Sequence, residues 1–467
     1  MTSLGVCAGA RVAFVTMGCA KNEVDTASMK KRLAAVGCVL DVEPESADVV
    51  VVNTCSFIQS ATEESLEAIF EAAALPRVVA GRAHIVVAGC MPARYGADLE
   101  GELTEASAFV PCSKEDDIAS VVARCVGADG GEPLRALEVE GMVPGGSSDA
   151  DAGDETLPVD VYESAAQTPR ETFAYVKISD GCDRWCSYCT IPLIRGRYHS
   201  FPLADVRESV AEHVAAGARE IVLIAQDTGR WGTDLDEPST LAQLMEALAV
   251  AFLSTWFRVM YLQPEGVTDE LLDVMARHAN ICNYLDIPLQ HVDAGLLRAM
   301  NRRGSREQFE QLLARVRAAL PDVTLRTTLI AGFPGETDEQ FDDMCDFVEE
   351  AGFDYVGVFA YSREEGTRAH DLPGQVDEDE KADRAQRLRD VADAACTPRV
   401  AERVGRSLDV LVEGCEEDGQ LFGRAMCQAP EVDGVTYVDG GEVGSVVRVR
   451  IEDTLMYEME GAREVEA

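Results

Sequence analysis

Two stretches of this sequence alternate short apolar runs with segments of helical periodicity, and this alternation restricts the fold more than any other feature. The first stretch covers residues 1–128 and the second covers residues 169–400. Strands that alternate with helices predict a parallel sheet, because parallel strands need a long crossover connection. The first stretch therefore predicts an open parallel α/β domain. Its apolar runs are RVAFVTM (11–17), ADVVVVNT (47–54), AHIVVAG (83–89) and SAFVP (107–111), with helical segments EVDTASMKKRLAAVG and ATEESLEAIFEAAAL between them.

The second stretch contains six candidate strands, separated by helical segments such as LADVRESVAEHVAAGA and SREQFEQLLARVRAAL. Six β/α units predict a partial or complete (β/α) barrel, with its active site at the C-terminal ends of the strands. The helical segment DEDEKADRAQRLRDVADAAC closes this domain. The candidate strands are FAYVKIS (from 173), EIVLIAQ (from 220), FRVMYL (from 257), NYLDIPL (from 283), VTLRTTLI (from 323) and DYVGVFAY (from 354).

The rest of the chain has a different texture. Residues 129–168 are rich in Gly, Ser and acidic side chains, with ten acidic residues and one base between Asp129 and Glu163, which predicts a linker or a mobile insertion. Residues 401–467 contain short β-like runs with frequent Gly, which predict a small β-barrel. We therefore predict four segments, with bounds 1–128, 129–168, 169–400 and 401–467.

Cysteine content and charge limit the class of protein. Nothing approaches 18 consecutive apolar residues, and the N-terminus lacks the basic region of a secretion signal, so we expect a cytosolic protein with no membrane span. Fifteen cysteines in such a chain favour metal or cluster ligation over a disulfide framework. The formal charge of −42 favours basic partners, although it is equally consistent with an acidic surface that only keeps the protein soluble.

Three cysteines lie within eight positions in GCDRWCSYC (181–189), directly after the first strand of the predicted barrel. Cys182, Cys186 and Cys189 have C-x3-C-x2-C spacing, and no fourth ligand follows nearby. A structural zinc site needs a closed set of four ligands, so a distorted zinc site or accidental clustering is the weaker interpretation. Iron–sulfur clusters are held by Cys thiolates, normally four. Three thiolates predict a cluster with one iron left open.

A second set of three cysteines is dispersed through the N-terminal domain. Cys19, Cys55 and Cys90 each follow an apolar run, and they lie 36 and 35 residues apart, about one βα unit each. Ligands of an open parallel sheet gather at the carboxyl ends of its strands, so we expect these thiols to converge on a second cluster. Cys112 also ends a strand-like run and is an alternative fourth ligand. The remaining cysteines read as small buried hydrophobes.

The C-x3-C-x2-C spacing with Tyr188 before the last cysteine resembles the radical S-adenosylmethionine (SAM) superfamily. The resemblance implies that Cys182, Cys186 and Cys189 are catalytic ligands of a 4Fe–4S cluster whose open iron is chelated by SAM. An electron from the cluster then cleaves the sulfonium to give a 5′-deoxyadenosyl radical.

The whole chain, apart from 129–168, resembles the methylthiotransferase family. That resemblance implies a second 4Fe–4S cluster, which carries the transferred sulfur group, and a second SAM, which supplies the methyl.

Three residues outside the cysteine sets are candidates for binding SAM. Gln226 and Asp227 follow the second barrel strand, where the cofactor should lie, although an ordinary polar loop is an equal alternative. Tyr188 is expected to pack by the adenine or to shield the cluster. In LIAGFPGETDEQF (329–341), the resemblance implies a backbone edge beside SAM, and the residues themselves predict a helix capping box. His291 reads as structural.

Several motifs resemble the branch of the family that modifies an aspartate β-carbon of ribosomal protein S-12. GCAKNEVD is similar to the Gly-Cys-Pro-Lys-Asn-x-Val-Asp signature of this branch, whereas the tRNA-modifying branch has Gln-Met after the Cys. Ala20 replaces the usual Pro, and Thr26-Ala27 replace Ser-Glu. The branch motifs are GCAKNEVD (18–25), IAQDTGRWG (224–232), YLDIPLQHV (284–292), YSREEGT (361–367) and APEVDGVTY (429–437). A tRNA adenosine methylthiotransferase is the alternative, and a non-catalytic two-cluster electron carrier is a second one.

Charge at the C-terminus bears on the choice between these branches. Residues 400–467 hold 16 acidic residues, six Arg and no Lys, and this barrel resembles a TRAM domain. Phosphate contacts need the opposite sign of charge, so an acidic barrel fits a basic protein better than RNA. The expected partners are ribosomal protein S-12 or the small ribosomal subunit and an electron donor such as flavodoxin or ferredoxin. No membrane contact and no direct sequence-specific nucleic-acid binding are expected.

Overall fold

The structure is a computed structural model that describes residues 7–127 and 172–464. The acidic segment predicted at 129–168 lies outside these residues, and the four predicted segment bounds stay predictions. Within the described ranges, no helix is both long and apolar enough to cross a membrane. Two α/β regions precede an all-β barrel, which confirms the predicted fold class.

The N-terminal domain is a parallel sheet with helices on both faces. Its elements are β1 (Val12–Thr16), α1 (Ala20–Ala35), β2 (Val49–Thr54), α2 (Gln59–Ala73), α3 (Pro76–Val79), β3 (His84–Gly89), α4 (Cys90–Glu102, kinked at Gly96), β4 (Ala108–Pro111) and α5 (Ile118–Gly127). The strand order is β1-β2-β3-β4. Strand β2 is buried along its whole length, which is why it reads as a continuous apolar run rather than an alternation. Helices α1 and α5 pack on one face, and α2 and the start of α4 pack on the other.

The second domain is a partial barrel of six parallel strands, as the sequence predicts. Its elements are β5 (Phe173–Lys177), β6 (Ser179–Asp180), α6 (Ile191–Ile194), β7 (His199–Ser200), α7 (Leu203–Ala216), β8 (Glu220–Ile224), α8 (Leu241–Ala251), β9 (Trp256–Val259), α9 (Asp269–Arg277), β10 (Tyr284–Asp286), α10 (Ala294–Ala299), α11 (Arg306–Ala319), β11 (Thr324–Ala331), α12 (Asp338–Ala351), β12 (Tyr355–Ala360) and α13 (Glu378–Ala401). The sheets β5-β8-β9 and β10-β11-β12 lie side by side, joined by a bridge between Phe257 and Ile281. The two-residue strands β6 and β7 form a separate pair that flanks the cysteine loop.

The C-terminal region is a small closed barrel of five strands. Its elements are β13 (Ser407–Cys415), β14 (Leu421–Ala425), β15 (Thr436–Val438), β16 (Val446–Leu455) and β17 (Glu458–Arg463), in the order β13-β14-β15-β17-β16. Four of these strands contain the β-like runs that the sequence shows, which are LDVLVEG, FGRAMCQ, VTYVDG and SVVRVRI. The fifth, EMEGAR, carries two Glu and a Gly, so its propensity for a strand is weak. Pairing with β16 on one side and β15 on the other supplies the stability that its own sequence lacks.

The N-terminal domain lies against the C-terminal ends of the partial-barrel strands. Lys177, the last residue of β5, forms an ion pair with Asp25 of α1. The Thr190 hydroxyl, which follows the cysteine loop of the partial barrel, donates a 3.0 Å hydrogen bond to the Phe57 carbonyl. Phe57 lies two residues after Cys55, so the two cysteine-bearing regions are in direct contact.

Candidate functional site

Cys19, Cys55 and Cys90 lie together at one edge of the N-terminal sheet. They follow β1, β2 and β3, and the parallel register pairs Thr54 with Gly89, so Cys55 and Cys90 stand side by side. Cys55 and Cys90 are buried, whereas Cys19 is exposed at the start of α1. Hydrogen bonding to Cys90 and burial raise the pKa of Cys55, and the charge of Cys19 acts in the same direction. The three thiols are therefore near neighbours.

Two glycines let the strand ends approach this closely. Gly18 has φ +96°, and a Cβ at this position would lie 2.5 Å from Cβ and 2.9 Å from Sγ of Cys55. Gly89 has φ +91°, and a Cβ there would lie 2.3 Å from Oδ1 of Asn53. Both positions combine a left-handed backbone with a contact that leaves no room for a side chain. The Gly-Cys pairs at 18–19 and 89–90 are thus part of how the thiols are brought together.

A fourth thiol, Cys112, lies beside Cys90. It begins a short 3-10 turn directly after β4, the neighbour of β3. The hydrogen bond to Cys90 and burial raise the pKa of Cys112, and hydrogen bonds from Cys112 and Cys55 lower the pKa of Cys90. The structure therefore keeps open the sequence-based alternative that Cys112 is a further ligand.

Arg195 joins the two cysteine regions through a buried polar network. It lies six residues after Cys189, and its side chain is 2% exposed. Its Nη2 donates to Oδ1 of Asn22 at 3.0 Å and to Asp25 at 2.8 Å, and it lies 3.9 Å from the Cys90 Sγ. Its Nη1 pairs with Asp180, the residue that ends β6. The Arg195 guanidinium thus fixes the segment after Cys189 against the N-terminal cysteine set.

The loop that carries Cys182, Cys186 and Cys189 is held by backbone hydrogen bonds. The amide of Cys182 donates to the Gly196 carbonyl at 3.2 Å, and that of Cys189 donates to the Cys186 carbonyl at 3.1 Å. Burial raises the pKa of Cys189, and the charges of Cys186 and Cys182 add to this effect. Trp185 is 54% exposed and has φ +52°, an unusual conformation for a bulky residue.

Within residues 7–127 and 172–464, no group of three or more His, Cys, Asp or Glu side chains has the geometry of a site for a single metal ion. The ligand roles of the six cysteines therefore rest on their convergence, and they stay predictions. In a cluster, each thiolate binds a different iron atom, and its own second shell of hydrogen bonds sets its orientation.

A cavity of about 360 Å³ opens beside Cys186. Its volume falls within the range of small-molecule sites. The Oε1 atom of Gln263 is buried without a hydrogen-bond partner, so a ligand in this cavity would satisfy it. The lining is mostly polar and basic, and consists of Arg184, Cys186, Gln263, Glu265, Asn301, Arg302 and Arg303.

The three side chains predicted to bind SAM differ in whether they have polar atoms free to bind a ligand. Gln226, just after β8, has both amide atoms buried without a partner, which fits a polar ligand at the strand ends. Asp227 is fully buried, but Arg184 of the cysteine loop pairs with its carboxylate. Tyr188 packs against the barrel core, and burial together with the charge of Cys186 raises its pKa. The residues present therefore fit SAM through Gln226, whereas Asp227 holds the loop.

Two other sequence interpretations have clear structural counterparts. Thr337 and Gln340 form a reciprocal capping box at the start of α12. His291 is fully buried, and its Nδ1 accepts hydrogen bonds from the amides of Val292 and Asp293. All three residues therefore have structural roles.

Sequence reasoning missed the polar residues between the cysteine sets. Asn22, Asp25 and Lys21 all lie in the quoted motif GCAKNEVD, but the motif was used only to choose a branch. Asn22 donates hydrogen bonds to the carbonyls of Met17 and Thr54, so it ties the ends of β1 and β2 together. Three non-cysteine polar residues packed into one cysteine motif were the available signal.

Three family models match the chain. The Radical SAM superfamily matches residues 176–348, the Uncharacterized protein family UPF0004 matches residues 11–111, and the TRAM domain matches residues 404–463.

Curated relatives match over nearly the full length. Ribosomal protein uS12 methylthiotransferase RimO of Syntrophus aciditrophicus is 40% identical over 446 residues, which is 94% of this chain and 95% of the relative. The protein of the same name from Geobacter sulfurreducens is 39% identical, over 97% of this chain and 98% of the relative. Among solved structures, the radical SAM methyltransferase TsrM of Kitasatospora setae has a TM-score of 0.55 at 15% identity, over 77% of this chain and 74% of that one. This last likeness supports the fold alone.

Proposed function

Because this chain belongs to the RimO family and is a radical SAM methylthiotransferase, we propose that it methylthiolates the β-carbon of an aspartate in ribosomal protein S-12 (uS12). The observation that carries the proposal is the junction between the two cysteine regions. Arg195 contacts both of them, and Thr190 bonds to the loop after Cys55. A reaction that needs one group from each cysteine region requires this proximity.

We assign the six cysteines to two 4Fe–4S clusters. Cys182, Cys186 and Cys189 would hold the cluster that binds SAM, and Cys19, Cys55 and Cys90 would hold the one that carries the sulfur group. When bound, these groups supply an electron for SAM cleavage, the radical that breaks an unactivated C–H bond, and the sulfur that is transferred.

The chain's own residues orient and shield this site. Arg195 donates to Asn22 and Asp25, which fixes the start of α1 relative to the partial barrel. Gln226 offers a buried amide with two unsatisfied atoms to a ligand at the strand ends. Asp227 holds Arg184 and thereby the first half of the cysteine loop. These contacts hold the two cysteine regions in a fixed position relative to each other.

The C-terminal barrel supports the S-12 substrate over tRNA. Of its six arginines, Arg403 and Arg424 are buried in ion pairs with carboxylates, and Arg448 pairs with Asp409. The basic side chains are thus largely neutralised, while the acidic excess of residues 400–467 remains. Such a surface attracts a basic ribosomal protein and repels phosphates.

A competition experiment tests the proposal. Anaerobically reconstituted enzyme, reductant, sulfide and SAM are offered small ribosomal subunits and unmodified tRNA together. We expect a methylthio mass gain on an aspartate of S-12 and none on tRNA. A gain on tRNA alone would assign the chain to the alternative substrate, and reduced flavodoxin or ferredoxin in place of the chemical reductant tests the electron donor.

Matched cysteine variants test the two-cluster assignment. Cys90→Ala should lose about half of the bound iron while the protein still cleaves SAM, because only one cluster is affected. Cys125→Ala is the control, since Cys125 is buried in α5 of the same domain and belongs to neither set. Full iron content in Cys90→Ala would contradict the assignment.

A further inference from the structure

Lys21 is a buried cation without a carboxylate partner. The residue is 8% exposed, and its ammonium forms no ion pair with any Asp or Glu in the described residues. This is unexpected in a chain with 83 acidic and 41 basic residues. Five other Lys and Arg residues in the described ranges are 8% exposed or less, and each has a carboxylate partner: Arg258–Glu220, Lys381–Glu378, Arg384–Glu336, Arg403–Asp354 and Arg424–Glu413.

The ammonium of Lys21 lies between the two cysteine regions. Lys21 is the second residue of α1, two positions after Cys19. Its Nζ is 3.7 Å from the centroid of the Tyr261 ring. Tyr261 follows β9 and comes two residues before Gln263, which lines the cavity beside Cys186. The side chain therefore reaches from one cysteine set to the mouth of the barrel that holds the other.

The backbone of Tyr261, whose ring contacts the Lys21 ammonium, is strained. Tyr261 has φ +62°, a left-handed conformation that is a clear outlier for a bulky residue. Its amide donates to Asp286 at 3.0 Å, and the Thr228 hydroxyl donates to its carbonyl at 3.1 Å. Strain of this kind persists where the surrounding structure specifies the position, often at ligand sites.

Two carboxylates next to Lys21 and Tyr261 are already engaged by other cations. Asp25, one turn along α1, pairs with Lys177 and Arg195. Asp286, which binds the Tyr261 amide, pairs with Arg326. A cation–π contact attracts the ammonium but uses none of the acceptors that its three N–H donors need. The Lys21 ammonium thus remains available for an anionic group that enters the site.

We infer that Lys21 binds the side-chain carboxylate of the substrate aspartate, an inference that rests on the function proposed above. In aspartate the carboxylate is attached directly to the β-carbon. A cation that holds the carboxylate therefore fixes that carbon between the two cysteine regions. A buried cation also rejects an amide analogue, since the amide would leave the charge without a counter-ion.

Equilibrium binding without reductant tests this role separately from turnover. The ligands are unmodified S-12 and S-12 in which the target aspartate is replaced by asparagine. We expect the native reconstituted enzyme to prefer the aspartate form by roughly thirtyfold or more, the size of a buried charge contact. Lys21→Met should bind both forms with equal affinity. The loss of the preference is the coupling between Lys21 and the substrate carboxylate that a double-mutant cycle measures. Lys21→Gln, a neutral polar variant, should behave in the same way.

Lys31→Met is the matched control, because Lys31 lies on the same helix with its side chain 71% exposed. This variant should keep the native preference. If Lys21→Met and Lys21→Gln lower the affinity for both ligands by the same factor, the preference for aspartate is kept. Lys21 would then only dock the two domains, and the inference would be overturned. A native enzyme that binds S-12 but does not discriminate the two forms would overturn it while leaving the proposed function standing. If the native enzyme binds neither form, the proposed function fails, and the inference fails with it.

Discussion

At the scale of single residues, the close approach of Gly18 to Cys55 leaves no room for a side chain at position 18. An alanine at position 18 would combine a left-handed backbone, at about 1–2 kcal/mol, with a Cβ only 2.5 Å from that of Cys55. We expect Gly18→Ala to push the β1 and β2 ends apart and to reduce the iron held by the N-terminal set. Iron analysis and SAM cleavage, measured together, check this: iron should fall by about half while cleavage persists.

Gly9→Ala separates the backbone effect from the contact. Gly9 has φ +85°, and a Cβ there meets nothing within 4 Å. This control should lose stability from strain alone and keep its iron. If the two variants have the same iron content, the close approach of Gly18 to Cys55 has no part in assembling the site.

At the scale of elements, the start of α12 could be predicted from sequence, because it depends on hydrogen bonds between neighbouring residues. Thr337 accepts a hydrogen bond from the Gln340 amide at 3.3 Å, and the Gln340 side chain accepts one from the Thr337 amide at 3.0 Å. We expect Thr337→Ala to lower the free energy of unfolding by about 1 kcal/mol, measured by denaturant titration. Calorimetry should show unchanged SAM affinity, because the cap faces its own helix.

Thr240→Ala is the comparison for that experiment, since Thr240 and Gln243 form a second capping box at α8. Both variants should lose similar stability and neither should change SAM binding. A loss of SAM affinity confined to Thr337→Ala would instead assign the stretch before α12 a direct place beside the cofactor.

Elements with strong local patterns could be predicted, and those that depend on distant partners could not. The apolar run at β2 and the helical spacing of α11 predicted both elements from sequence. Strand β17 was missed because its stability comes from β15 and β16, and β6 was missed because two residues carry no periodicity. In the site, the positions after β1, β2 and β3 predicted that Cys19, Cys55 and Cys90 are neighbours, and their ligand roles stay predictions. Arg195 and Lys21 were not predicted, because their roles depend on contacts between domains, such as that of Arg195 with Asn22 across 173 residues.

At the scale of the whole molecule, a buried ion pair joins the N-terminal domain to the partial barrel. Arg94 of α4 pairs with Glu364 at 2.8 Å, and the two side chains are 6% and 5% exposed. Glu364 also accepts a hydrogen bond from the Gln59 amide at the start of α2. Glu364→Gln leaves a buried guanidinium without its counter-ion, which costs about 3–5 kcal/mol. We expect SAM cleavage to continue while the methylthio product formed per SAM cleaved decreases.

The exposed pair Lys31–Glu212 links the same two domains and serves as the control. Its side chains are 71% and 53% exposed, so Lys31→Met should change stability by less than about 0.5 kcal/mol and leave the product ratio unchanged. An unchanged ratio in Glu364→Gln would show that the buried pair does not couple the domains.

The separation of 270 residues between Arg94 and Glu364 also sets an order of events during synthesis. Ribosomes add about 5–20 residues per second, so the N-terminal sheet, which ends at Pro111, is complete roughly 13–50 s before Glu364 is made. Throughout that interval the thiols at the sheet edge are uncovered by the later segments that contact them. Newly made chains thus pass through a stage in which the N-terminal cysteines are open to iron delivery, and also to oxidation, before the barrel closes over them.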